Sequence, residues 1–187
     1  MRQFVFIQPD YFVVYDRVTS VRPDQQKVFL LHTQNKPIEV DDAWRGSAGE
    51  GALFMKTLLP TRAKAKCLGG DGQEFLVNGV NYPADPSEKP LWMGRYRIEI
   101  SPAEAAAKTR FLTVLQAALA ATPKMVATHL VQTDAQDGVE LATSDGKKCR
   151  VLFNRDGPIG GHIQITADDK TLIDQPLLKP LSRGPAR

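Results

Sequence analysis

Two polar residues sit where strand alternation groups them with apolar neighbours. The stretch Asp10 to Thr33 reads DYFVVYDRVTSVRPDQQKVFLLHT, two dense strand-like runs around one break at Thr19 to Gln26. Alternation places Asp16 on one face with Phe12, Val14 and Val18, while Tyr11, Val13, Tyr15 and Arg17 take the other. On the second run His32 shares a face with Val28 and Leu30. A carboxylate and an imidazole on such faces need partners if buried. Imidazole nitrogen and carboxylate oxygen are also groups that bind zinc. Two ligands are not a site, so spacing alone leaves a buried hydrogen-bonded pair, two unrelated residues, or two members of a metal site. A simple hairpin about Val21 to Pro23 sets His32 opposite Phe12 and roughly 13 Å from Asp16, at about 3.3 Å per residue. A shared metal then requires a bulge, a shifted register or a non-adjacent pairing.

Other candidates are fewer. Of the three histidines, His129 alternates with Ala127 and Val131, and His162 follows the turn GPIGG; no two have ligand spacing. No nucleophile elbow, phosphate-binding glycine loop, Cys-x-x-Cys or His-Glu-x-x-His occurs, and no residue is assigned as catalytic. Trp44 and Arg45, inside the glycine-rich loop DDAWRGSAGEG, are suited to a sugar ring and a uronate carboxylate; alternatively Trp44 packs a sandwich edge. Arg95, Arg97 and Glu99 share a strand face, which favours a charge-paired surface over a polyanion-binding stripe. Cys67 and Cys149 fix no disulfide framework and read as two buried or half-buried thiols.

The elements that must position these residues are strands. Gln3 to Gln8, Ala52 to Leu59, Arg62 to Leu68, Glu74 to Asn78 and Trp92 to Ile100 alternate or carry β-branched and aromatic residues. GGDG, at 69–72, is a hairpin signal. Ser101, Pro102 and Glu104 form a capping box ahead of AAAKT and predict one short helix. FLTVLQAALA has helix-like composition, but its flanks favour a strand over Phe111 to Gln116. Met125 to Gln132, Val139 to Thr143, Cys149 to Phe153, His162 to Thr166 and Thr171 to Asp174 complete a meander punctuated by AQDG, SDGKK, NRDGPIGG and ADDK. About a dozen short strands with turns at regular spacing predict an all-β antiparallel sandwich, as one domain over 1–178, with 179–187 as a frayed tail.

At 187 residues the chain can bury a core without staples. Apolar content of 42% and charged content of 24% are globular averages. A net charge of +3 with scattered basic residues argues against a nucleic-acid partner. No run reaches the roughly 20 apolar residues of a membrane span, and the first residues lack the basic start, long apolar stretch and small-residue cleavage site of a signal peptide. A chain that begins inside a strand is expected to be part of something longer.

The stretches PDYFVVYDRV, VFLLHT, GSAGEGALFMKTLLP and GRYRIEIS…FLTVL, in that order over roughly Gln3 to Leu119, resemble the C-terminal β-sandwich of heparinase II/III-like polysaccharide lyases. The resemblance implies a missing N-terminal helical toroid that holds most of the catalytic groups, with this chain supporting the substrate cleft. Such enzymes cleave uronate-containing polysaccharides by β-elimination, outside the cytoplasm. It implies an acidic polysaccharide and the toroid domain as partners. It also implies a structural divalent metal, zinc or calcium, in the full-length parent, with Asp16 and His32 similar to two of the ligands and the third upstream of Met1. The competing expectation is a stand-alone carbohydrate-binding or structural module without catalysis.

Overall fold

The computed structural model describes residues 1–82 and 94–177. The chain divides into two compact units, Met1–Met125 and Val126–Arg187, where the sequence offered no linker and suggested one domain over 1–178. Pro83, Pro86, Pro90, Trp92 and the tail at 179–187 lie outside the described residues.

In the first unit the strands are β1 (Arg2–Ile7), β2 (Tyr11–Thr19), β3 (Phe29–Thr33), β4 (Ile38–Val40), β5 (Ala43–Ala48), β6 (Gly51–Leu59), β7 (Ala63–Gly69), β8 (Leu76–Val77), β9 (Val80–Asn81), β10 (Tyr96–Pro102) and β11 (Lys108–Leu119). They form a six-stranded sheet in the order β1-β2-β11-β6-β5-β4, a three-stranded sheet β3-β10-β7, and the small hairpin β8-β9. All pairings are antiparallel. Val14, Met55 and Phe111 from the larger sheet pack against Phe29, Ile98 and Ile100 from the smaller one. This is the core of a β-sandwich. Tyr11, Val13 and Tyr15, on the other face of β2, are also buried, so β2 is apolar on both sides. That explains the density of aromatic and β-branched residues there.

The second unit is a meander of β12 (Thr128–Gln132), β13 (Gln136–Ala142), β14 (Lys148–Asn154), β15 (Gly161–Ala167) and β16 (Lys170–Pro176). Val139, Leu141, Cys149, Val151 and Phe153 are buried on one face. Every strand expected here is present to within a few residues. Cys149 is buried, Cys67 is half-buried in the other unit, and both are free thiols.

Four local expectations are corrected. The described residues contain no helix, and Ser101 and Pro102 end β10 instead of capping one. The Ala103 N–H donates to the Arg62 carbonyl (2.8 Å) and the Ala107 carbonyl accepts from the Ser20 N–H (2.9 Å). The buried Lys27 ammonium takes the Ala106 carbonyl at 2.6 Å. Tertiary partners thus occupy the groups that a helical turn would use, and they outweigh propensities of tenths of a kcal/mol per residue. Second, the runs in Asp10 to Thr33 are no hairpin: β2 pairs with β1 and β11, and β3 with β10. Third, most of the glycine-rich loop at 41–51 is strand β5, entered by a turn with Asp41 at φ 53°. Fourth, GGDG does not close a hairpin, since β7 pairs with β10. The two-residue hairpin turn in this segment is Asn78-Gly79, at φ 49° and 83°, the left-handed pair that suits twisted strands.

Candidate functional site

Asp16 projects between the two sheets of the sandwich, on the face of Val14, and is buried. The register sets Arg2 of the edge strand β1 directly across from it. Arg2 Nε donates to Asp16 Oδ1 at 2.8 Å and Nη2 to Oδ2 at 2.7 Å, a two-pronged charge-assisted pair. The guanidinium also lies 5.6 Å over the Phe29 ring. The hydrogen bond to Asp16 raises the Arg2 pKa further above its ordinary value. The partner that Asp16 required is therefore a guanidinium. A signal for it was present: a turn at Pro9 pairs residues 2 and 16.

His32 lies elsewhere. On β3 it is exposed, on the opposite side from Phe29, which faces the core. Its cross-strand neighbour is Arg97. Partial burial, and then the Arg97 charge, lower its pKa below the ordinary 6.5. Asp16 and His32 thus occupy different sheets and point to different spaces, and the structure does not bring them together. Among the described residues no three of His, Cys, Asp and Glu cluster in a way that would hold a metal ion.

Trp44 and Arg45 are successive residues of β5 and so face opposite ways. Trp44 packs against the sandwich core. Arg45 stacks 5.7 Å over Phe54 and donates to the Ala120 carbonyl. Both side chains are engaged within the fold. The same holds on β10 and at Arg95 just before it, where the charge-paired reading is the observed one. Arg97 binds Glu99 at 2.8 Å and the Leu76 carbonyl at 2.9 Å. Arg95 meets Asp71 at 2.6 Å and Glu74 at 3.2 Å. On this outer face of the small sheet a cleft of about 450 Å³ opens over Leu30 and Leu68, walled by Val77 of the β8-β9 hairpin, with Lys66 at its rim.

A second buried carboxylate escaped the sequence reading. Asp137, inside the turn signal AQDG, is fully buried. It accepts from Gln132 Nε2 at 2.7 Å and from Arg155 Nη2 at 3.0 Å. Arg155 also donates to the Thr133, Asp134 and Gln136 carbonyls. This is a structural clamp. The remaining histidines are on the same unit: His129 is exposed opposite Glu140, and His162 Nε2 lies 2.9 Å from Asp174.

One apolar surface has no cover among the described residues of the sandwich. Phe4 and Phe6 on β1 are 58% and 47% exposed, and they flank the Phe12 ring at centroid distances of 5.5 and 4.8 Å. They share the face of Val14, which the smaller sheet covers only further along. Comparison with protein-family models and with curated proteins finds no match for the chain.

Proposed function

We propose that this chain is the β-sandwich module of a polysaccharide lyase of the heparinase II/III-like kind, supporting the substrate cleft of a helical toroid domain in a longer parent chain. One observation carries the reading. Val14, Phe29, Met55, Ile98, Ile100 and Phe111, the residues of the sandwich core, all come from the stretches that carry the family resemblance. Those stretches are strands of one compact unit ending at Met125, close to where the resemblance fades. The exposed Phe4 and Phe6, with the half-buried Phe12 between them, support a docking role, because an exposed aromatic patch marks an interaction face. In this reading the toroid covers it. The acid–base groups for elimination would come mainly from the toroid, and the engaged state of Trp44 and Arg45 suits a module that supports a cleft without lining it alone.

The test is an elimination assay on glycosaminoglycans, alginate and related polyuronates, following the ultraviolet absorbance of the unsaturated uronate. This chain and its full-length parent are run side by side. Activity in the parent alone is the expected outcome, and Phe4→Ser with Phe6→Ser should lower it by loosening the domain contact. Activity in this chain by itself, or a parent silent on every polyuronate, would overturn the proposal.

A further inference from the structure

The second unit has a polar face whose side chains are only partly engaged: Gln164 Nε2 donates to Asp174 Oδ2 at 3.0 Å, and Arg150 lies 3.5 Å from Glu140. The register aligns His129, Glu140, Arg150 and Gln164 in one row across β12 to β15. The adjacent row is Ala142, Lys148 and Thr166, and Ala127 adjoins it through the Ala142 N–H to Ala127 carbonyl bond at 3.1 Å. Small residues flanked by long polar ones leave a depression of about 360 Å³, within the range of small-ligand sites.

The donors and acceptors around it are mixed in kind. Among the described residues Arg150 Nε has no hydrogen-bond partner; it is buried, with the Glu140 carboxylate 3.5 Å away. That separation gives attraction but not a hydrogen bond of ordinary length. Lys148 carries a second cation two residues along the same face. Glu140 offsets part of the Arg150 charge, and Lys148 leaves the balance of the three positive, which favours an anion. The Glu140 carboxylate, the Gln164 amide oxygen (its nitrogen donates to Asp174) and the Thr166 hydroxyl offer the acceptors and donors that hydroxyl groups need.

We infer that this depression binds a hydroxylated carboxylate, a hexuronate residue, with the carboxylate at Lys148 and Arg150 and the ring hydroxyls toward Glu140, Gln164 and Thr166. The choice of uronate among hydroxylated anions rests on the lyase reading; the site itself rests on these side chains.

The experiment is an amide-resolved NMR titration of the full 187-residue chain with sodium glucuronate, methyl glucoside and sodium acetate, at concentrations of order 10 mM. The expected result is saturable shifts on β13 to β15 with glucuronate alone. Lys148→Gln and Arg150→Gln should each weaken binding roughly tenfold, the loss of one charge-assisted contact. Thr166→Val, which leaves both cations in place, should weaken it less, and Lys66→Gln in the other unit should leave it unchanged. Equal binding of the glucoside removes the carboxylate from the recognition, and equal binding of acetate removes the sugar; either overturns the inference, as does the absence of saturable shifts. Glucuronate binding alongside a parent inactive on all polyuronates would sink the lyase reading and keep the site. An active parent whose sandwich chain ignores glucuronate would sink the site alone.

Discussion

Asp16 and Asp137 are the same chemistry in two settings. Each is a buried carboxylate gripped by an arginine, one in each compact unit. Arg2 reaches Asp16 from an edge strand, and its side chain is 60% exposed. Arg155 is 24% exposed and spreads its donors over Asp137 and the carbonyls of the 133–136 turn, while Gln132 takes a further position on the carboxylate. The first pair closes the side of a sandwich. The second holds a turn in shape. An ion pair is weak evidence of stability when water still reaches one member, and its loss is severe when the carboxylate is left in the interior. The two sites should therefore answer differently to the same kind of change.

The largest effect is expected at Asp137. Arg155→Ala leaves the Asp137 carboxylate in the interior without its guanidinium and releases the carbonyls of Thr133, Asp134 and Gln136. A cost of about 3–5 kcal/mol is expected, the range for breaking a buried pair. Native-state amide exchange on β13 and β14 reads it in the unit concerned. A loss below about 1 kcal/mol would show that water or relaxation replaces the guanidinium, and the distinction between the two pairs would fail.

Arg2→Ala is expected to cost less, about 1–2 kcal/mol, because solvent can reach the vacated position and rehydrate Asp16. A double-mutant cycle with Asp16→Asn isolates the pair from the contact of Arg2 with Phe29. A coupling near zero would assign Arg2 a packing role over the ring. A coupling as large as that of Asp137 with Arg155 would make the exposure of Arg2 irrelevant to its strength.

How the two carboxylates read in the sequence is equally instructive. Asp16 interrupts an apolar strand face and could be singled out, although its partner could not be chosen without the strand register. That register is non-local: β2 pairs with β11, some hundred residues on, as well as with β1. His32 stands out as a companion because it too shares a strand face with apolar residues, yet β3 belongs to the other sheet. Asp137 was hidden by its context, since Gln-Asp-Gly is good turn chemistry and gives no hint of burial. Strand identity was legible almost everywhere, because Val, Ile, Phe and Tyr at alternating positions describe a half-buried pleat whatever the pairing. The division into two units was not, because no proline- or glycine-rich linker marks Met125.

The capping box sharpens the point from the other side. At a true helix start, Ser101→Ala costs about 1 kcal/mol. In β10 the substitution is expected to cost under about 0.5 kcal/mol, as for an ordinary surface position, measured by urea denaturation. A loss of the larger size would mean that the serine hydroxyl satisfies backbone donors there after all, and that the local signal outweighs the bonds from Arg62, Ser20 and Lys27.

The smallest effect concerns His32, the converse of both carboxylates: its register neighbour Arg97 carries the charge it would itself acquire. Partial burial, and then Arg97, depress its folded pKa below 6.5. As pH falls through 6.5, the unfolded chain takes up a proton that the folded chain resists. Unfolded protons then outnumber folded ones, and stability declines with falling pH until the folded imidazole also titrates. Above that window the term is absent. His32→Gln should therefore leave the urea midpoint unchanged near pH 8 and flatten its fall below pH 6.5, by a small margin because the ring is largely hydrated. An unchanged slope in the variant would show that Arg97, held by Glu99 at 2.8 Å, has its charge neutralised before His32 can feel it. The outer face of the small sheet would then be electrostatically silent, and the contrast between a carboxylate facing an arginine and an imidazole facing one would rest on burial alone.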